Sequence, residues 1–349
     1  MPKVNSFTTQ PLNHLTTQLL SSFVLAQRLG VLIRNDKEDK NDSITITDVT
    51  LREYGQNIPA HYLHIFTPEI RVEIAQKLID AGIKNIEILS CVNPMVSPAM
   101  NKEALKKIST DLGRVNGINL ITLVPNNAGY KTFLDLDLGP GSYNHTMGVF
   151  FSAIEAHNIA NLGRPLKETI EEYKKIIRDA SSHNIRIIAY ISATFGYFEP
   201  QNGVLIKADL VEVNNYIELL LDLGVDTVTL SDLQGVANEE KTREIFESIL
   251  HKRAGSDTDK LGYHPHHISG KAALANSKIA YDLGIRRFDS SLGGTGGCVT
   301  GAPGNQPTEM LVDCFNEARI QTGLDGAKIF SLTEMVKKEL YNKISLNKD

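Results

Sequence analysis

From Ile44 onward the hydrophobic and polar positions fall into one repeated unit: a short β-branched run, a turn, then a stretch in which apolar residues return every third or fourth place. The runs predict strands at Ile44–Glu53, Asn85–Ser90, Asn119–Val124, Met147–Ala153, Ile185–Ala193, Thr227–Asp232, Gly262–His267 and Arg287–Leu292. The periodic stretches predict helices, among them Pro68–Ala81, Leu166–His183, Leu210–Leu223, Glu239–His251 and Lys271–Leu283. Three helices meet a glycine before the next strand (Ala81-Gly82, Leu223-Gly224, Leu283-Gly284), where glycine can take the left-handed cap. Alternating strands and helices imply parallel pairing through right-handed crossovers, and eight such units close into a (β/α)8 TIM barrel. A doubly wound open sheet is the other arrangement that alternation allows, but no G-x-G-x-x-G follows an early strand.

The two ends depart from this repeat. Leu12, Leu15, Leu19, Phe23 and Ala26 recur at helical spacing before the charged run Asn35–Asp42, so residues 1–43 read as a helical N-terminal extension. The barrel domain is expected over residues 44–322 and a helical tail over 323–349, with a Lys- and Glu-rich helix at Ser331–Asn347. The extension either covers one end of the barrel or a neighbouring subunit, or serves as an organelle transit peptide, since up to position 34 it lacks acidic residues and carries Arg28 and Arg34.

Composition narrows the class. A hydrophobic fraction of 42% and a charged fraction of 22% over 349 residues fit a soluble globular protein, and no apolar run is long enough to cross a bilayer. The formal net charge of -5, without a basic stripe, argues against a nucleic-acid partner. Three cysteines, Cys91, Cys298 and Cys314, are too few for a disulfide scaffold, so a reducing, cytoplasmic setting is expected.

In a barrel of this kind the chemistry gathers at the carboxyl ends of the strands. Polar residues fall there: Arg52-Glu53, Glu87 with Ser90-Cys91, Ser231-Asp232, His264-Pro265-His266-His267 and Asp289-Ser290-Ser291. His264 and His266, two apart on a strand, point the same way and can reach one ion, although an H-x-H pair is equally a pair of core or surface histidines. N and O donors would suit Mg2+ or Mn2+, with Zn2+ as an alternative. Arg52 and Glu53 would face opposite sides of a strand and read either as an exposed ion pair or as an oxyanion-binding arginine beside a carboxylate. Glu87 among isoleucines requires a hydrogen-bonding partner, and Asp232 follows the same logic. Cys298 follows the run Gly293-Gly294-Thr295-Gly296-Gly297, which can carry a thiol on a lid over the barrel mouth, and Gly304-Asn305 returns an amide towards it.

Taken together, Leu51-Arg52-Glu53-Tyr54-Gly55-Gln56, Ile86-Glu87, Leu230-Ser231-Asp232, His264-Pro265-His266 and Gly296-Gly297-Cys298 with Gly304-Asn305 resemble the metal-dependent TIM-barrel lyases and synthases, most closely the 3-hydroxy-3-methylglutaryl-CoA lyases. The resemblance spans residues 44–322. It implies a retro-Claisen cleavage of a thioester to an acyl-CoA and a keto acid, with a divalent metal held by Glu53, His264, His266 and Asn305. It also implies a catalytic set of Arg52, Glu87, Asp232 and Cys298, substrate held by Arg52 and Gln56, and a homodimer. Two other readings stand beside it: a synthase that condenses an acyl-CoA with a 2-keto acid, and a barrel that has lost catalysis and acts as a binding subunit. The chain departs from the family pattern in having Glu53 where an aspartate is usual, His267 in place of the aspartate after the second histidine, a shorter interval from Cys298 to Asn305, and a longer loop after Asn57 that carries Tyr62 and His64. These departures point to an altered substrate or a side branch.

Overall fold

The alternation that begins at Ile44 makes a strand only as far as Asp48. A computed structural model describes residues 43–113, 115–136, 146–253, 257–266, 270–296 and 304–341. Within them β1 is Thr45–Asp48, and the chain then turns into a helix, α1, at Thr50–Asn57. The expected strand through Glu53 is therefore corrected. The Asp48 carboxylate accepts hydrogen bonds from the Thr50 backbone N–H and hydroxyl, both at 3.0 Å, and so starts a helical turn where the β-branched composition of the run would continue the strand.

The remaining strands are β2 (Asn85–Ser90), β3 (Asn119–Leu123), β4 (Thr146–Ser152), β5 (Arg186–Ser192), β6 (Tyr197–Glu199), β7 (Val204–Ile206), β8 (Thr227–Asp232), β9 (Leu261–Pro265) and β10 (Arg287–Ser290). Eight of these close a barrel of parallel neighbours in the order β1-β10-β9-β8-β5-β4-β3-β2, the expected (β/α)8 TIM barrel. The pair β6 and β7, which strand periodicity did not predict, forms a separate antiparallel hairpin after β5. The other helices are α2 (Pro68–Asp80), α3 (Lys102–Leu112), α4 (Asn127–Asp135), α5 (Glu155–Leu162), α6 (Leu166–Ser182), α7 (Leu210–Asp222), α8 (Glu239–His251), α9 (Gly270–Asp282), α10 (Thr308–Glu317) and α11 (Gly326–Val336). Polar side chains start several of them: Asp209 accepts from the Val211 N–H at 2.8 Å before α7, and Asn238 from the Lys241 N–H at 2.8 Å before α8.

Helices such as α2, α6 and α8 turn an apolar stripe onto the barrel. On α6 that stripe is Leu166, Tyr173, Ile176, Ile177 and Ala180, all buried, and each large side chain contributes about 1.5–3 kcal/mol of transfer free energy. The last helix, α11, starts five residues before the expected Ser331 and ends in a π turn at Lys337–Tyr341. The Asp325 N–H donates to the Ala81 carbonyl at 2.9 Å, which joins this helix to the end of α2. Residues 1–42, where the N-terminal helix is predicted, lie outside the described residues. No helix among the described residues is long and apolar enough to cross a membrane.

Candidate metal centre

Because α1 follows β1 at the carboxyl end of the barrel, Arg52, Glu53 and Gln56 lie together on one face of a helix and line a single cleft. The strand-based expectation that Arg52 and Glu53 face opposite sides is thus overturned, since they pair with each other at 2.7 Å. Arg52 also donates from Nε to Glu87 Oε2 at 2.6 Å and from Nη1 to Gln56 Oε1 at 3.4 Å. Burial works against its charge, but Glu53 and Glu87 outweigh it and keep the guanidinium protonated. Arg52 is thus the hydrogen-bonding partner that the buried Glu87 requires. The Glu87 carboxyl is raised above the usual carboxylate range, because burial outweighs the attraction of Arg52. For Glu53 the balance reverses: burial pushes upward, yet Arg52, His266 and His264 together hold its carboxyl below that range.

The two histidines sit at the end of β9. His264 and His266 bring their Nε2 atoms to 3.0 Å from each other, and His264 Nδ1 lies 3.0 Å from Asp289 Oδ2 on β10. A carboxylate can only accept, so the His264 proton sits on Nδ1 and Nε2 presents its lone pair to the cleft. One donor atom each from Glu53, His264 and His266 lies within 4.8 Å of the others, and all three residues are buried. A separation of 3.0 Å is that of two adjacent ligands about 2.1 Å from one ion.

Asn305 completes the arrangement. An antiparallel bridge seats it beside His266, and its Nδ2 donates to the Thr295 carbonyl at 2.9 Å. Its Oδ1 is buried and accepts no hydrogen bond, a state that costs about 1–3 kcal/mol unless something else meets the oxygen. Gly296, at φ +97°, lets the backbone pass between: a Cβ there would lie 2.7 Å from Asn305 Nδ2 and 2.8 Å from Glu53 Oε2. The orphaned oxygen, the paired imidazoles and the ionised carboxylate fit a hard divalent cation.

Other predicted residues are placed differently. Ser231 faces the cleft, and Asp232 therefore points outward. The Asp232 carboxylate accepts from the Val236 and Ala237 N–H groups, both at 3.0 Å, and so shapes the turn after β8. Burial raises it to about 6 even though those amides favour the charged form. The expectation that Asp232 joins the reacting groups is corrected to a role in that turn. Cys298 and His267 lie outside the described residues. Sequence reasoning gave no role to Tyr190 or to Asp289. Tyr190 lines the cleft with its ring edge-on to His264 at 5.9 Å, and its hydroxyl is held protonated by burial and by Glu87 and Asp289. The signal for Tyr190 was available, as a lone polar tip in the otherwise apolar run Ile187–Ile191.

The cleft spans about 590 Å³, a volume that includes the part open to solvent. The model of the HMGL-like family matches residues 43–336. A hydroxymethylglutaryl-CoA lyase of Bacillus subtilis is 29% identical over 299 residues, covering 85% of this chain and 93% of its own length. An (R)-citramalyl-CoA lyase of Chloroflexus aurantiacus is also 29% identical, over 314 residues, covering 86% and 92%. Among solved structures, an HMG-CoA lyase of Acinetobacter baumannii in complex with coenzyme A and 3-methylmalate superposes with a TM-score of 0.75 at 25% identity, covering 87% of this chain and 93% of that one.

Proposed function

The chain belongs to the HMGL-like family, and within it we propose a divalent-metal-dependent carbon–carbon lyase that cleaves a 3-hydroxy-3-methylglutaryl-CoA-like thioester to acetyl-CoA and a keto acid. The observation that carries this reading is the convergence of Glu53, His264 and His266, with the orphaned Asn305 oxygen, beside the doubly paired Arg52. These four residues hold the metal, Mg2+ or Mn2+ before Zn2+. When bound, the ion supplies Lewis-acid polarisation of the substrate oxygens. Arg52, fixed from two sides by Glu53 and Glu87, holds the thioester oxygen where negative charge grows as the bond breaks. Gln56 steadies the same guanidinium. A base takes the tertiary hydroxyl proton, the bond between the hydroxyl-bearing carbon and the adjacent CH2 breaks, and its electron pair passes to the thioester as an enolate. Cys298 returns a proton to the former CH2, now the enolate carbon, which becomes the methyl group of acetyl-CoA, in line with the proton-moving role that the family resemblance implies for its position.

The test offers HMG-CoA and (R)-citramalyl-CoA separately and measures acetyl-CoA and keto acid, with and without EDTA. Cleavage of one thioester that stops on chelation and returns with Mn2+ is the expected result. Cleavage that EDTA leaves untouched would remove the metal from the reading. Release of CoA only when acetyl-CoA and a keto acid are supplied together would turn it to condensation.

A further inference from the structure

Tyr341, near the C-terminus, touches both α1, which carries Glu53, and the turn after β10 that holds Asn305. Tyr341 donates its hydroxyl to the Leu292 carbonyl at 2.8 Å, at the start of the glycine-rich turn after β10. Its ring lies 5.4 Å from the Tyr54 ring, centroid to centroid, and Tyr54 is the chain neighbour of Glu53. Gly293, at φ +66°, leaves room for the tyrosine: a Cβ there would come within 3.2 Å of Tyr341 Cε2. The same turn is gripped from a second side, where Glu309 Oε2 accepts from the Gly293 N–H at 3.0 Å and from the Thr333 hydroxyl of α11 at 3.3 Å. What the turn delivers is the Thr295 carbonyl, which accepts a hydrogen bond from Asn305 Nδ2 and so fixes which side-chain atom, Oδ1, is left for a ligand.

We infer that Tyr341 is a positioning residue for the metal centre, setting through the Leu292–Gly296 turn the orientation of Asn305 and bracing α1 behind Glu53. The inference rests on the reading of Glu53, His264, His266 and Asn305 as ligands. An amide oxygen is a weak ligand that binds well only when its rotamer is fixed in advance, and the partners that fix a ligand typically contribute 10- to 100-fold in metal affinity. Tyr341→Phe removes the hydroxyl and keeps the ring against Tyr54, so it loosens the turn without opening the core.

The experiment is Mn2+ binding by calorimetry on the full chain, with melting temperature as a control on folding, for the unmodified protein, Tyr341→Phe, Asn305→Ala and the double variant. Tyr341→Phe should weaken Mn2+ binding by about 10-fold with little change in melting temperature, and should have no further effect once Asn305 is alanine. Glu309→Gln, which loosens the turn from its other side, should act in the same direction and serves as the second variant if Tyr341→Phe folds poorly. Equal Mn2+ affinity for Tyr341→Phe and the unmodified chain would overturn the inference alone, as would an undiminished effect in the Asn305→Ala background, which would mark a general loosening. Absence of Mn2+ binding by the unmodified chain would overturn the reading of the site, and the inference with it.

Discussion

Each imidazole at the site must offer a lone pair, and for His264 a single carboxylate decides that. With Asp289 Oδ2 on Nδ1, the proton is held away from the cleft and Nε2 is free to ligate. Asp289→Asn can turn its amide NH2 towards Nδ1, which favours the opposite tautomer and puts a proton on the ligating nitrogen. Mn2+ affinity should fall at least about 10-fold while the circular-dichroism spectrum stays unchanged; an affinity equal to that of the unmodified chain would show that Asp289 is dispensable to the tautomer. The histidine pair itself was legible from a spacing of two on a strand, because side-chain direction along a strand is local. Its carboxylate was not, because residue 289 meets residue 264 only through the pairing of β10 with β9, in which Phe288 stands opposite Tyr263. Register of that kind is set by the closed barrel and leaves no trace in either segment alone. The resemblance points to Asn305, but its orphaned oxygen depends on the fold, which turns Nδ2 to the Thr295 carbonyl and leaves Oδ1 buried without a donor.

Among the elements, α1 is where sequence and structure part most sharply, and where the consequence for the site is greatest. The run Ile44–Glu53 alternates apolar and polar residues from Ile44 to Thr47 and again from Val49 to Arg52, and its β-branched residues read as one strand if the slip at Thr47-Asp48 is passed over. Asp48 ends it by taking the Thr50 N–H and hydroxyl, and the helix that follows brings residues 52, 53 and 56 onto one face where a strand would have split them. Asp48, where the alternation slips and two residues before Thr50, is the signal for this turn that the sequence holds. The same carboxylate also accepts from Thr308 at 3.3 Å, tying β1 to the start of α10, and it is fully buried. Burial raises its pKa to about 7 despite those hydrogen bonds. Below the unfolded value of 3.8 the group is protonated in both states and has no effect on stability. Between there and about 7 the folded chain keeps the proton that the unfolded chain gives up, so stability falls as pH rises, by a total of about 4 kcal/mol. Asp48→Asn lacks that titration. Urea unfolding of both proteins should therefore show the variant gaining on the parent by several kcal/mol between pH 4.5 and pH 7.5, and a difference that stays constant would mean that Asp48 ionises freely in the fold.

Eight strand-and-helix units were enough to anticipate closure of the whole barrel, because each unit repeats one local rule and the count alone completes the cylinder. What repetition could not supply was the β6–β7 hairpin, which interrupts the repeat, and the place of α11, whose Ile329, Leu332 and Val336 are buried as part of the barrel body. The candidate metal site joins parts of that body remote along the chain: α1 beside the first strand, the end of β9, and the return of the glycine-rich loop at Asn305. These parts come together only in the folded chain, so an ion that binds them stabilises the whole molecule by mass action. Mn2+ at 100 times its dissociation constant adds about 2.7 kcal/mol. Unfolding of roughly 300 ordered residues carries an entropy of about 0.6 kcal/mol per kelvin, so the melting temperature should rise by about 4 °C. EDTA should reverse the rise, and His266→Ala should melt at the same temperature with Mn2+ as without. A rise that persists in His266→Ala would place the bound ion elsewhere on the protein. A parent chain that shows no rise at any Mn2+ concentration would leave the convergence of Glu53, His264, His266 and Asn305 without its ion.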